Sequence, residues 1–245
     1  MSRLRRVKTE AVAEMRSFTR KPAAVFFTFV FPLILIAIFA VFVEADEGLF
    51  ARSQAYYLPG YLGFVVVLTP LSRVGSTVAR GRDHRRFERL AATPMTQWEW
   101  FVAHAAVNAA FVLLASTAIY VVLSAVSGEM RPSPAAALFV VCAATFFCGL
   151  GAVFGRLARS EDGAIAMSNG VGFPLLFLGD TFLSRESLPE FAVPLTEFNP
   201  LTPFSRGVRV STGVVDGEVG LYLAVVVGLA VAGVVFGGFA VPWRE

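Results

Sequence analysis

Charged side chains are scarce in this chain. Asp, Glu, Lys and Arg make up 16% of its 245 residues, whereas soluble domains usually carry about 25%. The longest polar segments span roughly 20–35 residues, which is too short for a soluble domain of useful size. Hydrophobic residues make up 56% instead, and several apolar runs reach the about 20 residues that a helix needs to cross a bilayer. The composition therefore favours a polytopic helical membrane protein.

Lysine is almost absent, which excludes one kind of chemistry. The two lysines, Lys8 and Lys21, do not follow a glycine-rich turn. A phosphate-binding loop requires such a turn, followed by Lys and then Ser or Thr. The sequence therefore predicts that this chain does not hydrolyse ATP and holds no cofactor of its own.

Cysteine and histidine are equally rare. Cys142 and Cys148 lie six positions apart in one apolar run, so on a helix they point to different faces, and we expect neither a disulfide nor a metal site. His84 and His104 have no second His or carboxylate at helical metal spacing within a span. No G-x-S-x-G motif occurs either. A membrane enzyme is disfavoured on these grounds.

Long apolar runs dominate what is present. Ten-residue segments of alternating polarity, which are typical of a membrane barrel, do not occur in the sequence. The runs predict an all-α polytopic protein in which residues 23–245 form one domain with six transmembrane helices. The predicted spans are about 23–43, 56–78, 101–126, 134–154, 163–183 and 219–241.

Residues 1–22 precede the first span and carry seven Lys and Arg residues. Apolar residues recur there every three or four positions, at Leu4, Val7, Ala11, Met15 and Phe18. One apolar stripe on a charged helix predicts an amphipathic helix that lies flat in the headgroup region. A solvated tail is the alternative. The apolar run that follows is too long for a signal-peptide core, so we interpret it as a retained first span.

The distribution of basic residues orients the predicted spans. Six spans place both termini on one side, where 16 Lys and Arg residues lie, against five on the other side. By the positive-inside rule, both termini are cytoplasmic and segment 184–218 is extracytoplasmic. The basic runs flank membrane spans, so we expect the lipid bilayer beside them and no nucleic acid.

The longest strongly polar loop, residues 80–100, lies between the second and third predicted spans. Phe87, Leu90 and Ala91 lie three or four positions apart within it and are framed by charge. This pattern predicts a short amphipathic helix that docks in a groove of a partner. Anchoring of the neighbouring span to anionic lipid is the alternative, and both roles can hold together.

Few polar residues interrupt the predicted spans. Ser168, Asn169 and Asp180 lie in or near the end of the fifth span and are candidates for a substrate path. Interhelical hydrogen bonding is the alternative role for Ser168 and Asn169, and an interfacial cap or pair is the alternative for Asp180. Close helix packing or a dimer contact is predicted by two glycine pairs spaced four apart, Gly151/Gly155 and Gly233/Gly237.

Four stretches in register with the six spans carry a resemblance to a known family. Residues 83–94 read DHRRFERLAATP, a charged run that ends in Glu-Arg-Leu, two small residues and Thr-Pro. The other three are Tyr57-Leu58-Pro59-Gly60 at the start of span two, Leu188-Pro189 after span five, and Asn199-Pro200-Leu201-Thr202 with Arg206 and Arg209 beyond it. Together they resemble the membrane subunits of type-2 ABC exporters, the ABC-2 type permease family. The chain departs from the family at Arg85-Arg86, where Gly-Thr is frequent, and at Gly179-Asp180, where Ser-Gly is frequent.

The resemblance implies a division of labour between subunits. A separate cytoplasmic ABC ATPase, present in two copies, would bind ATP and Mg²⁺, and two permease chains would form the path as a homodimer or a paired heterodimer. Residues 1–22 would be an elbow helix, and segment 184–218 would form short extracytoplasmic re-entrant helices. The ATPase would dock on a coupling helix and its flanks, at Arg82, Asp83, Phe87, Glu88, Arg89, Leu90, Thr93 and Pro94.

The combined observations predict a non-catalytic permease subunit of an ATP-driven exporter in the cell membrane of a prokaryote. The largely uncharged spans favour a hydrophobic or amphipathic cargo, either drug-like or lipid-like. A self-contained secondary carrier or channel is the alternative, and an integral membrane enzyme is the third hypothesis.

Overall fold

Helices provide the regular structure of this chain. The computed structural model describes residues 2–43, 53–127, 130–182, 190 and 193–243. No β-strand occurs in these ranges, which confirms the predicted all-α class for them. The helices are α1 Arg3–Thr19, α2 residues 22–43, α3 Gln54–Asp83, α4 Arg86–Ala91, α5 Gln97–Ser127, α6 Pro134–Leu157, α7 Glu161–Leu178, α8 Val193–Glu197, α9 Leu201–Ser211 and α10 Val219–Ala240.

Four helices are long and apolar enough to cross a membrane, namely α3, α5, α6 and α10. Helix α1 and the first part of α2 pass the same test only as a pair that is bent by 91°, which raises the number to at most five. Helix α7 is not among them, because its 18 residues include Glu161, Asp162 and Asn169. The described residues therefore support four or five of the six predicted spans, and the sixth stays a prediction.

Helix α6 packs against α3 and α10 at the distance of backbone contact. A Cβ added at Gly149 would lie 2.0 Å from the carbonyl oxygen of Gly233 in α10. One added at Gly155 would lie 2.3 Å from the carbonyl oxygen of Gly75 in α3. Only glycine permits such an approach of two helices. The predicted close packing is thus confirmed, and it joins helices of the same chain.

Burial differs sharply between the spanning helices. In α3, 72% of the apolar window is buried inside the protein, whereas the corresponding share of α10 is 17%. Large apolar side chains such as Leu221, Val231 and Phe236 point outward from α10. Helix α3 is therefore the central element, and α10 presents an apolar outer surface of the kind that lipid or another membrane chain covers.

Two of the helices contain a π-helical turn, Phe26–Val30 in α2 and Phe64–Leu68 in α3. A proline follows each turn, at Pro32 and Pro70. Because proline has no N–H, it leaves the carbonyl four residues earlier without its helical partner, and a wider turn accommodates the change. The prolines predicted to lie within spans one and two thus act on the backbone one turn before them.

Segment 184–218, predicted to be re-entrant, contains α8 and α9. Residues 183–189 and 191–192, including the predicted Leu188-Pro189 motif, lie outside the described residues. The described helices have five and eleven residues, so neither crosses a membrane by itself. Their re-entrant placement stays a prediction.

The turn between α8 and α9 is held by side chains of the Asn-Pro-Leu-Thr stretch. The amide of Asn199 donates to the Leu175 carbonyl oxygen at 2.8 Å, and its oxygen accepts from the Leu201 N–H at 2.9 Å. The Thr202 hydroxyl donates to the Thr196 carbonyl oxygen at 2.6 Å. These bonds satisfy buried backbone groups, so the motif fixes α9 onto the end of α7.

Candidate functional site

The chain reverses direction between α3 and α4 at Arg85. Its φ of 51° lies in the left-handed region, which few non-glycine residues adopt. The N–H groups of His84 and Arg85 donate to the carbonyl oxygens of Arg80 and Arg82 and so close the end of α3. Helix α4 begins at the next residue and is six residues long. The polar loop therefore contains the predicted short helix.

Phe87, one member of the predicted docking set, points inward from α4. Its side chain is 2% exposed and lies edge-on to Trp100, with the ring centroids 5.1 Å apart. A Cβ at Gly81 would lie 2.6 Å from the Phe87 ring, so the small residue leaves room for it. Burial of an aromatic ring at this point anchors α4 on the body of its own chain, and the predicted contact of Phe87 with a partner stays a prediction.

The outer face of α4 and the residues after it carry most of the other predicted docking residues. Exposed side chains on this surface belong to Asp83, Glu88, Arg89, Thr93 and Pro94, and partly exposed ones to Arg82 and Leu90. The Thr93 hydroxyl donates to the Leu90 carbonyl oxygen at 2.6 Å, which caps the end of the helix. These seven residues form one accessible surface, which we call the loop surface. Its contact with a partner stays a prediction.

Helix α1 is fastened to the start of α5 by a bidentate ion pair. The Arg6 guanidinium donates to both carboxylate oxygens of Glu99, at 2.9 and 2.5 Å. Glu99 also forms a capping box with Thr96, because each accepts a hydrogen bond from the backbone N–H of the other. The same carboxylate thus starts α5 and holds the first turn of α1.

Further along α1, two carboxylates face a buried histidine of α5. Glu10 Oε1 lies 3.1 Å from Nε2 of His104, and Glu14 Oε2 lies 3.5 Å from its Nδ1. The His104 side chain is 1% exposed and stacks on Trp100, with the ring centroids 3.9 Å apart. The imidazole therefore sits between the two carboxylates of α1.

Two arginines complete this cluster from other helices. Arg86 at the start of α4 donates to Glu10 Oε1 at 2.7 Å, and Arg73 of α3 donates to Glu14 Oε1 at 2.7 Å. The Arg73 guanidinium also lies over the Phe18 ring of α1, 4.0 Å from its centroid. Four helices, α1, α3, α4 and α5, thus meet in one network of five ionisable groups, which we call the ion cluster.

The electrostatics of the ion cluster are visible in one of its carboxyls. Burial raises the pKa of Glu10, but the hydrogen bond and charge of His104, together with the charge of Arg86, outweigh it, so the pKa lies below its ordinary value. Glu10 is therefore ionised at neutral pH even though it is buried. A buried ionised carboxylate requires such partners.

The sequence patterns did not reveal this cluster. The side chains that contact each other between helices are 59 to 94 residues apart in sequence, so no local spacing brings them together. One signal was present, since Glu10 and Glu14 lie four apart on the otherwise basic helix α1 and share a face with Phe18. Leu4 and Met15 of the predicted apolar stripe are exposed. Placement of that stripe in the headgroup region stays a prediction.

A cavity of about 430 Å³ lies between α2, α3 and α7. Its walls combine aromatic and aliphatic side chains with hydroxyls, one amide and the guanidinium-bearing side chain of Arg73, and both π-helical turns contribute to them. The rings of Phe31 and Phe64 meet there with their centroids 6.2 Å apart. Asn169, one of the predicted path residues, lines the cavity, and the Ser72 hydroxyl donates to its amide oxygen at 3.4 Å.

Ser168 does not line this cavity. It is fully buried, and its hydroxyl lies within hydrogen-bond reach of the carbonyl oxygens of Ala164, at 2.7 Å, and Leu71, at 3.2 Å. Its contacts support the alternative role, a hydrogen bond between helices α3 and α7. Of the adjacent pair, only Asn169 is placed to meet a molecule in the cavity.

Asp180, the third predicted path residue, is engaged by two arginines of α9. One carboxylate oxygen lies 3.1 Å from Arg206 Nε and the other lies 3.3 Å from Arg209. Arg209 is 3% exposed and also donates to the carbonyl oxygens of Tyr56 and Thr181. Asp180 therefore takes part in a buried contact that ties α9 to α3 and to the end of α7. This geometry supports its alternative role as a pairing residue.

No group of three or more His, Cys, Asp and Glu side chains that could hold a metal ion occurs in the part of the chain that the structure describes. The sequence matches none of the curated protein sequences. The model of the ABC-2 type transporter family, by contrast, matches residues 5–212, a range that includes the ion cluster, the loop surface and the cavity. Since this match covers most of the chain, the protein is a membrane component that belongs to the ABC-2 type transporter family.

Proposed function

We propose that this chain is the permease subunit of an exporter that moves a hydrophobic or amphipathic molecule out of the cell. Two such chains would form the path, and two copies of a separate cytoplasmic ABC ATPase would bind ATP and Mg²⁺ and supply the energy. Membership of the ABC-2 family supports the association with an ATPase. The cavity between α2, α3 and α7 is the observation that supports the cargo class.

The lining of the cavity suits an amphipathic molecule. Phe27, Phe31, Phe64 and Phe173 supply aromatic surface, and Asn169 supplies an amide that can both donate and accept. Its volume of about 430 Å³ is within the range of small-molecule sites. No carboxylate lies among the described residues that line it. Apolar walls with a few oriented polar groups bind organic molecules better than hydrated ions.

The ion cluster supports a route from the loop surface to this cavity. Arg86 begins α4, which carries the loop surface, and Arg73 is a lining residue of the cavity. The side chains of Glu10, His104 and Glu14, in that order, link Arg86 to Arg73 in space. Each contact in this chain of side chains is 3.5 Å or less. A displacement of α4 by a bound ATPase would thus be transmitted to α1 and α3 through these contacts.

Transport measurements test the cargo class. The chain is purified with its co-purifying ATPase and placed in liposomes with either an amphipathic dye or an NBD-labelled phospholipid as probe. We expect ATP-dependent movement of at least one probe, and about 3- to 10-fold slower movement in Asn169→Leu, because an amide contact is lost. Ser168→Ala is the matched control, since its hydroxyl is bonded to backbone outside the cavity.

Two outcomes would contradict the proposal. Probe movement by the chain without ATP or ATPase would favour the carrier or channel. Equal rates of probe movement in Asn169→Leu and Ser168→Ala would show that the cavity is not part of the transport path.

The ATPase contact is tested separately at the loop surface. Glu88→Lys or Leu90→Asp should uncouple ATP hydrolysis from transport. The melting temperature should stay unchanged in Glu88→Lys, because Glu88 is exposed, and fall moderately in Leu90→Asp, because Leu90 is partly buried against the cluster around Phe87. Asp216→Asn, an exposed carboxylate beyond α9, serves as the control. Unchanged co-purification and unchanged transport in both loop variants would refute docking at this surface.

A further inference from the structure

A second cavity, of about 280 Å³, lies between the start of α3, the second half of α5 and the start of α6. It shares no lining residue with the cavity assigned to the transport path. It is also at the opposite end of the helices from the loop surface, since α3 ends and α5 begins beside that loop. The two cavities are therefore separate sites.

Most of its wall is aliphatic. Leu58 and Leu62 of α3, Leu113 of α5 and Val140 of α6 supply apolar surface. No Asp, Glu, Lys, Arg or His is present among the described residues that line it. An alkyl chain fits such a wall, whereas a charged group would lose its hydration there without a partner.

Two residues of α5 that line this apolar cavity carry hydroxyls, Ser116 and Tyr120. Neither hydroxyl oxygen is exposed, and neither has a hydrogen-bond partner within the described residues. The two residues are four positions apart, so they share one face of the helix. Buried hydroxyls are nearly always bonded, so two adjacent exceptions at one cavity indicate that a partner is missing.

The neighbouring residue shows that this arrangement is specific. Thr117 also lines the cavity, but its hydroxyl donates to the Leu113 carbonyl oxygen at 2.8 Å, the usual bond of such a residue inside a helix. The Ser116 hydroxyl makes no such bond within the described residues. Its donor and acceptor capacity is therefore not used by those residues.

We propose that this cavity binds the acyl ester of a lipid of the surrounding bilayer. The ester carbonyl accepts hydrogen bonds from Ser116 and Tyr120, and the alkyl chain lies against the aliphatic wall. The cavity touches the first turns of α6, at Pro134, and the start of α3, at Leu58. Helix ends lie near the membrane surface, where the ester groups of lipids lie just above the hydrocarbon core. A volume of about 280 Å³ suits one chain segment with its ester rather than an entire lipid.

Photolabelling of the full chain in detergent tests the assignment. The probe is a monoacylglycerol with a diazirine in its acyl chain, and labelled peptides are mapped by mass spectrometry. We expect labelling of peptides within residues 58–62 and 113–140. The variant with both Ser116→Ala and Tyr120→Phe should need about 3- to 10-fold more probe for half-maximal labelling, since the hydrogen bonds are lost and the shape is kept. Ala137→Phe, which fills the cavity, should abolish labelling there.

The controls distinguish specific binding of an ester from non-specific binding of an alkyl chain to an apolar surface. Thr117→Val changes a lining residue whose hydroxyl is already bonded, so it should label like the unmodified chain. An alkane diazirine of equal chain length should label the unmodified chain and the double variant at equal probe concentration. Labelling that maps elsewhere, an unchanged double variant, or a loss in Thr117→Val as large as in the double variant would overturn the proposal. Melting temperatures of all variants establish that each one is folded.

Discussion

Replacement of Glu14 by Gln is the sharpest test of the ion cluster. Glu14 is the anion that faces Arg73 at 2.7 Å, and the two side chains are 9% and 14% exposed. The substitution keeps the size of the side chain and removes its charge. The guanidinium of Arg73 would then be left inside the protein without its carboxylate.

The burial of the pair sets the magnitude of the effect. Removal of one partner of a buried ion pair typically costs about 3–5 kcal/mol, because the other charge stays buried and unpaired. For a chain of this size, about 1 kcal/mol shifts the melting temperature by about 2–4 °C. We therefore expect Glu14→Gln to melt about 6–20 °C below the unmodified chain.

Two cysteines of the chain can report its melting temperature. Cys142 and Cys148 are free and buried, so a thiol-reactive fluorescent dye reaches them only when the helices separate. Dye fluorescence during heating in detergent gives the melting temperature. Glu88→Gln is the matched control, since its contact with Arg85 is 3.9 Å long and exposed, and such pairs contribute at most about 1 kcal/mol.

A double variant separates a lost charge from a lost shape. Glu14→Leu combined with Arg73→Met removes both charges and keeps apolar volume, so most of the loss should be recovered. If Glu14→Gln melted within about 2 °C of the unmodified chain, like the control, the buried pairing would be refuted. A double variant less stable than Glu14→Gln would show that the contact depends on shape rather than on charge.

Three further predictions follow from the packing and the charges. The pKa of Glu10 is lowered in the folded chain, so ionised Glu10 stabilises the fold. This stabilisation is complete above the unfolded pKa of about 4.3 and is lost as the pH falls through the folded pKa. The difference in melting temperature between the unmodified chain and Glu10→Gln should therefore narrow below about pH 4. Gly149→Ala should lower the melting temperature by several degrees, because the new Cβ would lie 2.0 Å from the Gly233 carbonyl oxygen, whereas Gly170→Ala, with nothing within 4 Å, should be neutral or stabilising. Arg209→Met should cost about 3–5 kcal/mol in thermal unfolding, because it leaves a buried carboxylate and two backbone carbonyls without this donor.

The helices were largely predictable, because their cause is local. Apolar runs of about 20 residues predicted α3, α5, α6 and α10, since a run of that length has to bury itself in lipid whatever its neighbours are. Residues 163–183 are less clear-cut, because α7 mixes polar residues into the run. In that segment the number of spans depends on what covers the polar side chains, which local composition does not encode.

The candidate site was predictable only in part. The charged, amphipathic pattern of residues 80–94 identified the loop surface, but it could not reveal that Phe87 meets Trp100 of α5. Likewise, Asp180 was recognised as unusual, while its partners Arg206 and Arg209 lie 26 and 29 positions away on another helix. Long-range charge pairing depends on how helices are arranged in space, and no spacing rule within one helix expresses it.

The ion cluster also constrains how the protein is made. Helix α1 is synthesised before α5, and its partner His104 follows Glu10 by 94 residues. At about 5–20 residues per second, the ribosome needs roughly 5–20 s to deliver that partner. The arginine partners of Glu14 and Glu10 follow them by 59 and 76 residues, so the cluster is complete only when His104 has been added. The docking of α1 is thus completed late in biogenesis, once the start of α5 has been made.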